Sequence, residues 1–336
     1  FVIGCRTALD LPREVWERIA GCCRPLRRAD ISFAGAFGRM RLAAEDIKTH
    51  AYAFSCAEAD FIGQWRNMAA ESENIEIVAN TPIVKLSDEN RQASATDAAG
   101  KTYAADCLAV AGLGSKLLEP AGFTCTERRY RQPVFAASIA DDDADDCNCA
   151  SERVLASGAA TLIPRPGGWG FVMIASTACT QRLKQLPPDK LLAEIASMHG
   201  CTFSTTAQLI SRGCFQPALR LSKPGGRGPI ALLGASACAL NPIGAQELNL
   251  AVRDCILLAR LLASAKTHAL PDIGRMHAAG RVRDRQAAVR RTDMAARLAA
   301  ANFPGKRVAG GLLAAIGELA PPVRRACLAA WVLPNG

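Results

Sequence analysis

Residues 232–254 read Leu232-Leu233-Gly234-Ala235-Ser236-Ala237-Cys238-Ala239-Leu240-Asn241-Pro242-Ile243-Gly244-Ala245-Gln246-Glu247-Leu248-Asn249-Leu250-Ala251-Val252-Arg253-Asp254. The pattern is a strand that runs through a small-residue turn into the start of a long helix, whose apolar spacing continues from Leu248 to Ala265. The first turn of a helix carries backbone N–H groups without intrahelical partners and a partial positive charge, so it can hold an electron-rich group of a cofactor. Gly244 and Ala245 leave room for close approach, and Pro242 stiffens the chain leading to that terminus.

A second segment has a similar design. Cys107-Leu108-Ala109-Val110-Ala111-Gly112 is a continuous apolar run ending in a small-residue turn, as expected of a buried parallel strand feeding a ligand loop. Before it, Ile75–Val78 and Pro82–Leu86 alternate like short strands, and Ala98-Ala99-Gly100-Lys101 makes a hairpin turn. Nearer the start, Asp10 and Gly21 bracket an amphipathic helix. A strand over Ile31–Phe37 follows, with Gly38–Arg41 at its edge, and then a helix over Ala57–Ala70. Strands around Ala160–Pro164 and Trp169–Ile174 precede a helix opened by Pro187-Pro188-Asp189 and stopped at Gly200, with His199 a helix-terminal residue. The run Asp141–Asp146 reads as an exposed loop, because contiguous carboxylates diverge rather than converge on a metal. From Asp272 the chain is helical and rich in Ala and Arg, broken at Pro304-Gly305 and Pro321-Pro322.

A chain of 336 residues can hold two structural units, here interleaved, and half of its residues are hydrophobic. Charges interrupt every apolar run before it reaches membrane-spanning length. The fourteen cysteines are scattered without a C-x-x-C, and the four histidines lie far apart, which predicts free buried thiols in a reducing cytoplasm and no structural zinc. The net charge of +9 is localised: from Arg275 to Arg325 there are eleven Lys or Arg against three acids, a net of +8. Such a basic helical tail suits an anionic membrane surface or an acidic partner. Its only aromatics are Phe303 and Trp331, too few to stack bases, so no nucleic-acid partner is expected. The chain opens on Phe1 in mid-pattern, with no secretory signal ahead of Cys5, which predicts a fragment whose first piece lies upstream.

Several segments occur in a telling order: Arg6-Thr7-Ala8-Leu9; Ile31-Ser32, Gly35 and Phe37-Gly38; Tyr130-Arg131-Gln132; Glu152-Arg153, Gly158 and Leu162-Ile163-Pro164; and Arg281, Asp284 and Thr292-Asp293. Together with the two turns above, this layout resembles the aromatic-ring flavin monooxygenases of the para-hydroxybenzoate hydroxylase type, in their ubiquinone-biosynthesis branch, over nearly the whole chain. The resemblance implies an α/β fold in which a Rossmann-like FAD-binding domain, incomplete at its N-terminus, is interleaved with a β-sheet substrate domain and followed by C-terminal helices. Residues 1–25, 57–125 and 220–265 would form the FAD-binding part, 26–56 and 126–219 the substrate sheet, and 266–336 the helical end.

The resemblance also implies the site. One flavin motif, an Asp-Gly turn followed by Ser, stands here as Ala111-Gly112-Leu113-Gly114-Ser115, with Leu118 where the family has Arg. The other is the opening stretch, in which Gly234, Pro242, Gly244, Gln246, Asn249, Arg253 and Asp254 match, while Ala235, Cys238 and Glu247 replace an acid or amide, a His and a Gly. The cofactor-binding residues so implied are Gly112, Ser115, Gly234, Ala235, Pro242, Ile243, Gly244, Ala245, Gln246, Leu248 and Asn249, with no acid–base residue and no metal. The polar group missing at Ala235 would be a hydrogen bond to a charged group worth about 1.5–3 kcal/mol. Glu247 would set a carboxylate beside the pyrimidine edge of the ring and oppose its reduction, unless it swings to solvent. The G-x-G-x-x-G turn of a first βαβ unit is absent from the sequence.

The activity implied is FAD-dependent hydroxylation of the aromatic ring of a prenylated ubiquinone precursor, with NAD(P)H as reductant and O₂ as oxidant. The chain would be cytoplasmic, peripheral on the inner membrane face through its basic helices. The departures at Ala111, Ala235 and Glu247 leave open a second reading, a flavin-free homologue serving as scaffold or lipid-binding subunit of the ubiquinone biosynthesis complex.

Overall fold

A computed structural model describes residues 1–332 except 90, 91, 113, 157, 266 and 302–304. Leu113, Phe303 and Pro304 of the reading above therefore lie outside the described residues. The chain divides into two interleaved units, one of residues 1–64, 130–217 and 293–334, the other of residues 65–129, 218–292 and 335–336. Residues 1–25, assigned above to the cofactor-binding part, lie in the first unit. The helix Ile273–Ala300 belongs to the second unit up to Thr292 and to the first from Asp293.

The first unit is organised by a seven-stranded sheet in the order Gln208–Phe215, Val134–Ala140, Gly168–Ile174, Gly158–Arg165, Cys149–Leu155, Arg28–Phe33 and Arg39–Ala43. Its neighbours are antiparallel except Cys149–Leu155, which runs parallel to Arg28–Phe33. The alternation of buried residues in Val134–Ala140 and Gly158–Arg165 turns Phe135, Ile139 and Leu162 to one face. The helices Thr177–Gln185 and Pro188–His199 cover that face with Leu183, Leu191 and Ile195, all fully buried. A three-stranded sheet of Val2–Gly4, Ala53–Ser55 and Arg24–Leu26 completes the unit's strands.

The second unit holds three small sheets. Ile83–Ser87, Ala93–Asp97 and Thr102–Ala105 form an antiparallel meander whose last turn is the expected one at Ala98–Lys101. Thr124–Arg129, Ala218–Lys223 and Cys238–Ala239 form the second sheet. In the third, Ile230–Leu233 pairs antiparallel with Gly226–Arg227 and parallel with Leu108–Ala111. The helix Ile273–Ala300 packs at backbone distance here, since a Cβ on Gly226 would collide with the Gly274 carbonyl and one on Gly274 with that of Ile230.

Several local expectations are corrected. Ile75–Val78 forms no strand, and Ile75, Ile77 and Val78 are exposed, because alternation stabilises a strand only where a neighbour supplies the ladder. The strand expected at Ile31–Phe37 runs instead from Arg28 to Phe33, since Gly35 and Gly38 adopt left-handed φ of 73° and 92° and turn the chain. Asp142–Asp146 is a 3-10 turn rather than an open loop. Its leading residue Asp141 is buried, accepting the Trp169 indole N–H at 3.0 Å and the Ser204 N–H at 3.4 Å. All fourteen cysteines are free thiols, but only Cys5, Cys56 and Cys238 are buried; ten are half-buried and Cys255 is exposed.

The basic tail is not a free positive face. Arg281 and Arg285 are buried against Asp254, while Arg275, Arg297 and Arg324 pair with Asp272, Asp293 and Asp46. Lys306 donates to the carbonyls of Ala299 at 2.8 Å and Ala301 at 2.7 Å. Among the described residues, no helix is long and apolar enough to cross a membrane.

Candidate functional site

Ile230–Leu233 is buried at all four positions and lies parallel to Leu108–Ala111, with Leu233 opposite Ala111. Because the pair is parallel, both strands end at the same edge. The turn at Gly112 and the turn at Gly234, 122 positions apart in sequence, therefore leave the sheet side by side. The carboxyl edge of parallel strands is where α/β sheets hold ligands.

On one side of that edge, Gly112 has φ 77°, and nothing lies within 4 Å of where a Cβ would stand on Gly112 or Gly114. Both glycines and Ser115 are exposed, so their backbone is open to a ligand. On the other side, Gly234 is buried with φ 48°, and a Cβ on it would press on the Ala251 side chain. Ala235 is exposed. The chain then pairs at Cys238–Ala239 before the loop that leads to the helix Gln246–Ser264.

That loop is shaped by its own side chains. Asn241 Oδ1 accepts the Ile243 N–H at 3.1 Å, closing a turn around Pro242. Gly244 and Ala245 follow with successive left-handed φ of 75° and 49°. Gln246 Nε2 donates to the Gly244 carbonyl and Asn249 Nδ2 to the Ala245 carbonyl, each at 2.9 Å. These two amides are buried beneath the turn and hold its carbonyls inward. The N-cap residue Ala245 offers no side chain to cap the helix. Leu248 is half-buried on the first turn. A left-handed conformation costs a non-glycine residue about 1–2 kcal/mol. Ala245→Gly is therefore expected to raise stability by about 1 kcal/mol, read as a shifted urea midpoint; a loss of stability would refute the strain.

Glu247 is half-buried and does not swing out to solvent. Its Oε2 accepts the Leu240 N–H at 3.0 Å, so the carboxylate fastens the start of the loop to the start of the helix. Burial pushes its pKa above the usual carboxylate range, against the opposing pull of the Leu240 N–H and Arg220. A carboxyl whose folded pKa is raised destabilises the fold where it is ionised and ceases to do so as pH falls through that pKa. Glu247→Gln is thus expected to be more stable than the wild type at pH 7, with the gap closing as the pH approaches 4.5 and below; a gap that widens in acid would reverse the assignment.

A buried ion network, which the sequence reading did not assemble, sets the Gly234 turn. Asp254 accepts the Gly234 N–H at 2.9 Å, Arg281 Nε at 2.6 Å and Arg285 at 2.9 Å. Arg285 also donates to the Leu232 carbonyl at 2.8 Å. Asp284 bridges Arg253 at 2.8 Å and Arg281 at 2.6 Å. Burial raises the Asp284 pKa, but the two arginines outweigh it and hold the carboxyl below its ordinary value. One sequence signal was present: Asp254 stands four residues from both Leu250 and Leu258, on the buried stripe of its helix. Its partners could not be read from spacing.

No family model matches the sequence. The chain is 24% identical over 256 residues to slr1300, an uncharacterized protein of Synechocystis sp., over 75% of this chain and 62% of that protein. It thus spans less than two thirds of the length of that relative. Among solved structures it is similar to p-nitrophenol 4-monooxygenase from Pseudomonas putida, with TM-score 0.76, 15% identity, and coverage of 98% of this chain and 87% of that one. It is also similar to Klebsiella pneumoniae HpxO complexed with FAD and uric acid, with TM-score 0.73, 15% identity, and coverage of 98% and 87%. A third likeness is to the Diels-Alderase PyrE3 of pyrroindomycin biosynthesis, with TM-score 0.71, 18% identity, and coverage of 100% and 72%. The chain has the para-hydroxybenzoate hydroxylase-like two-domain flavoprotein fold, with C-terminal helices.

Proposed function

We propose that the chain is part of an FAD-dependent monooxygenase that hydroxylates an aromatic ring. The observation that carries this reading is the meeting of the Gly112 and Gly234 turns and the uncapped helix Gln246–Ser264 on one carboxyl edge. The residues suit the ring end of a flavin: Gly112 and Gly114 face open space, and Gly244-Ala245 turn the chain tightly into the helix start. FAD bound there, with NAD(P)H as reductant and O₂ as oxidant, would supply the oxygen-transfer chemistry. The protein's own part is electrostatic and geometric. The helix N-terminus between Ala245 and Asn249 stabilises negative charge on whatever it faces. Gln246 and Asn249 hold the Gly244 and Ala245 carbonyls by hydrogen bonds, and the Leu240 N–H fixes the Glu247 carboxylate. Pro242 and Ile243 would offer apolar surface to the ring. Gly112, Ser115, Gly234 and Ala235 would flank the ribityl side.

For the substrate we propose a prenylated aromatic precursor of the ubiquinone type, on the resemblance of Tyr130-Arg131-Gln132 and Leu162-Ile163-Pro164 to that branch. The alternative is a flavin-free homologue acting as scaffold or lipid-binding subunit of the ubiquinone biosynthesis complex, favoured by the apolar Ala111 and Ala235. Visible absorbance of the purified chain, before and after incubation with FAD and desalting, decides between them. Retained flavin bands support the monooxygenase, and a protein that stays colourless and takes up no FAD even with any residues that precede Phe1 in place overturns it. Ala235→Asp restores a polar partner and is expected to tighten FAD binding about tenfold, for a hydrogen bond worth about 1.5 kcal/mol.

A further inference from the structure

Helix Lys306–Leu319 carries its small residues inward and its large ones outward. Gly310, Gly311, Ala314 and Gly317 pack against the rest of the first unit, whereas Val308, Leu312, Leu313, Ile316 and Leu319 are 47–84% exposed. The packed side has no space for anything larger. A Cβ on Gly310 would collide with the Phe33 ring, one on Gly311 with the Phe37 carbonyl, and one on Gly317 with Met40 Sδ. The helix is therefore fully docked through glycine, and the aliphatic stripe is left over. Its spacing, with steps of four, four and three from Val308 to Leu319, keeps it on one face. Solvent-facing helices carry polar residues there, and a contiguous apolar face of this kind marks a surface that something covers.

The stripe has apolar neighbours in chain order. Phe37, in the turn that Gly311 abuts, is exposed, as are Met294 and Leu298 one turn apart on the preceding helix and Val323 at the start of the next. The charges around it have one sign to spare. Residues 293–332 contain five Lys or Arg and two acids. Both acids are engaged, Asp293 by Arg297 at 2.9 Å and Glu318 by Arg41 at 2.9 Å. Arg325 is exposed just beyond the Pro321-Pro322 break. No acid among the described residues faces outward along the stripe itself, and the surplus at its end is cationic.

We propose that this face lies in the interfacial layer of a bilayer containing anionic phospholipid. Helix Lys306–Leu319, at about 1.5 Å per residue, would lie along the surface for about 20 Å with its aliphatic stripe among the acyl chains and Arg325 at headgroup level. The attachment rests on the aliphatic face, since Arg275, Arg281, Arg285, Arg297 and Arg324 of the basic tail are committed to internal pairs. It stands apart from the flavin reading and does not depend on it.

The test is co-sedimentation of the chain with vesicles of phosphatidylcholine alone and of phosphatidylcholine with phosphatidylglycerol. The wild type is expected to bind both, more tightly with phosphatidylglycerol, and that preference is expected to weaken in Arg325→Glu. The double variant Leu313→Asp, Leu319→Asp, both at exposed positions, is expected to lose about tenfold or more of the binding to either vesicle while keeping its circular dichroism spectrum and melting temperature. Equal binding by wild type and double variant would overturn the proposal. So would failure of the wild type to bind either vesicle; a wild-type dimer by sedimentation velocity that the double variant abolishes would then make the stripe a contact between copies.

Discussion

Replacing Asp254 with alanine lowers the unfolding free energy by about 3–5 kcal/mol, the cost of removing one partner from a buried ion network and leaving the others charged and unpaired. Three donors converge on this carboxylate: the Gly234 N–H, Arg281 and Arg285. Water cannot replace it, because Asp254 is 1% exposed. The backbone bond matters most for the site, since it holds a glycine at φ 48° where the strand Ile230–Leu233 turns out of the sheet. Asp254→Asn keeps an acceptor for that N–H but not the charge, and is expected to fall between the wild type and the alanine variant. Urea unfolding followed by circular dichroism measures both. A loss below about 1 kcal/mol for Asp254→Ala would mean that the network is dispensable.

The second large effect is acid destabilisation through His199. This residue ends the helix Pro188–His199 and lies under the seven-stranded sheet, edge-on to Phe171 at 5.9 Å and with Nδ1 2.9 Å from Ser151 Oγ. Its Nε2 is buried with no hydrogen-bond partner. Burial, aided by the Arg153 charge, pushes its pKa down from 6.5 to about 4. The unfolded chain therefore takes up a proton near pH 6.5 that the folded chain refuses until about pH 4. The stabilising contribution is complete above pH 6.5 and is lost as pH falls, at about 1.4 kcal/mol per pH unit and about 3 kcal/mol over the window. His199→Gln removes this slope, so the stability difference between wild type and variant should change by that amount between pH 7 and pH 4. A difference independent of pH would show that His199 accepts a proton in the folded state.

Much of the site was legible as pattern. Hydrophobic runs ending in small residues located both turns, and the helix start was placed within a residue or two because Pro242, Gly244 and the apolar spacing from Leu248 are local signals. The reading failed where the deciding partner was distant. Ile75–Val78 alternates like a strand but has no neighbour to pair with. The partner of Glu247, the Leu240 N–H seven residues back, was not in the sequence reading. Within the +8 tail, Arg281 and Arg285 pair with Asp254 and Arg324 with Asp46, acids that spacing did not join to it.

By itself the sequence determined the order of its segments and the glycines that must turn, because backbone conformation and amphipathic period are local properties; the class of fold came through the resemblance its motifs carry. Tertiary structure alone decided that Gly112 and Gly234 share an edge, that Asp254 joins two helices to a turn, and that the helix Lys306–Leu319 docks by its glycines and turns its leucines out. Those outcomes depend on parallel register, buried charge pairing and close backbone approach, each of which joins residues that no spacing along the chain brings together.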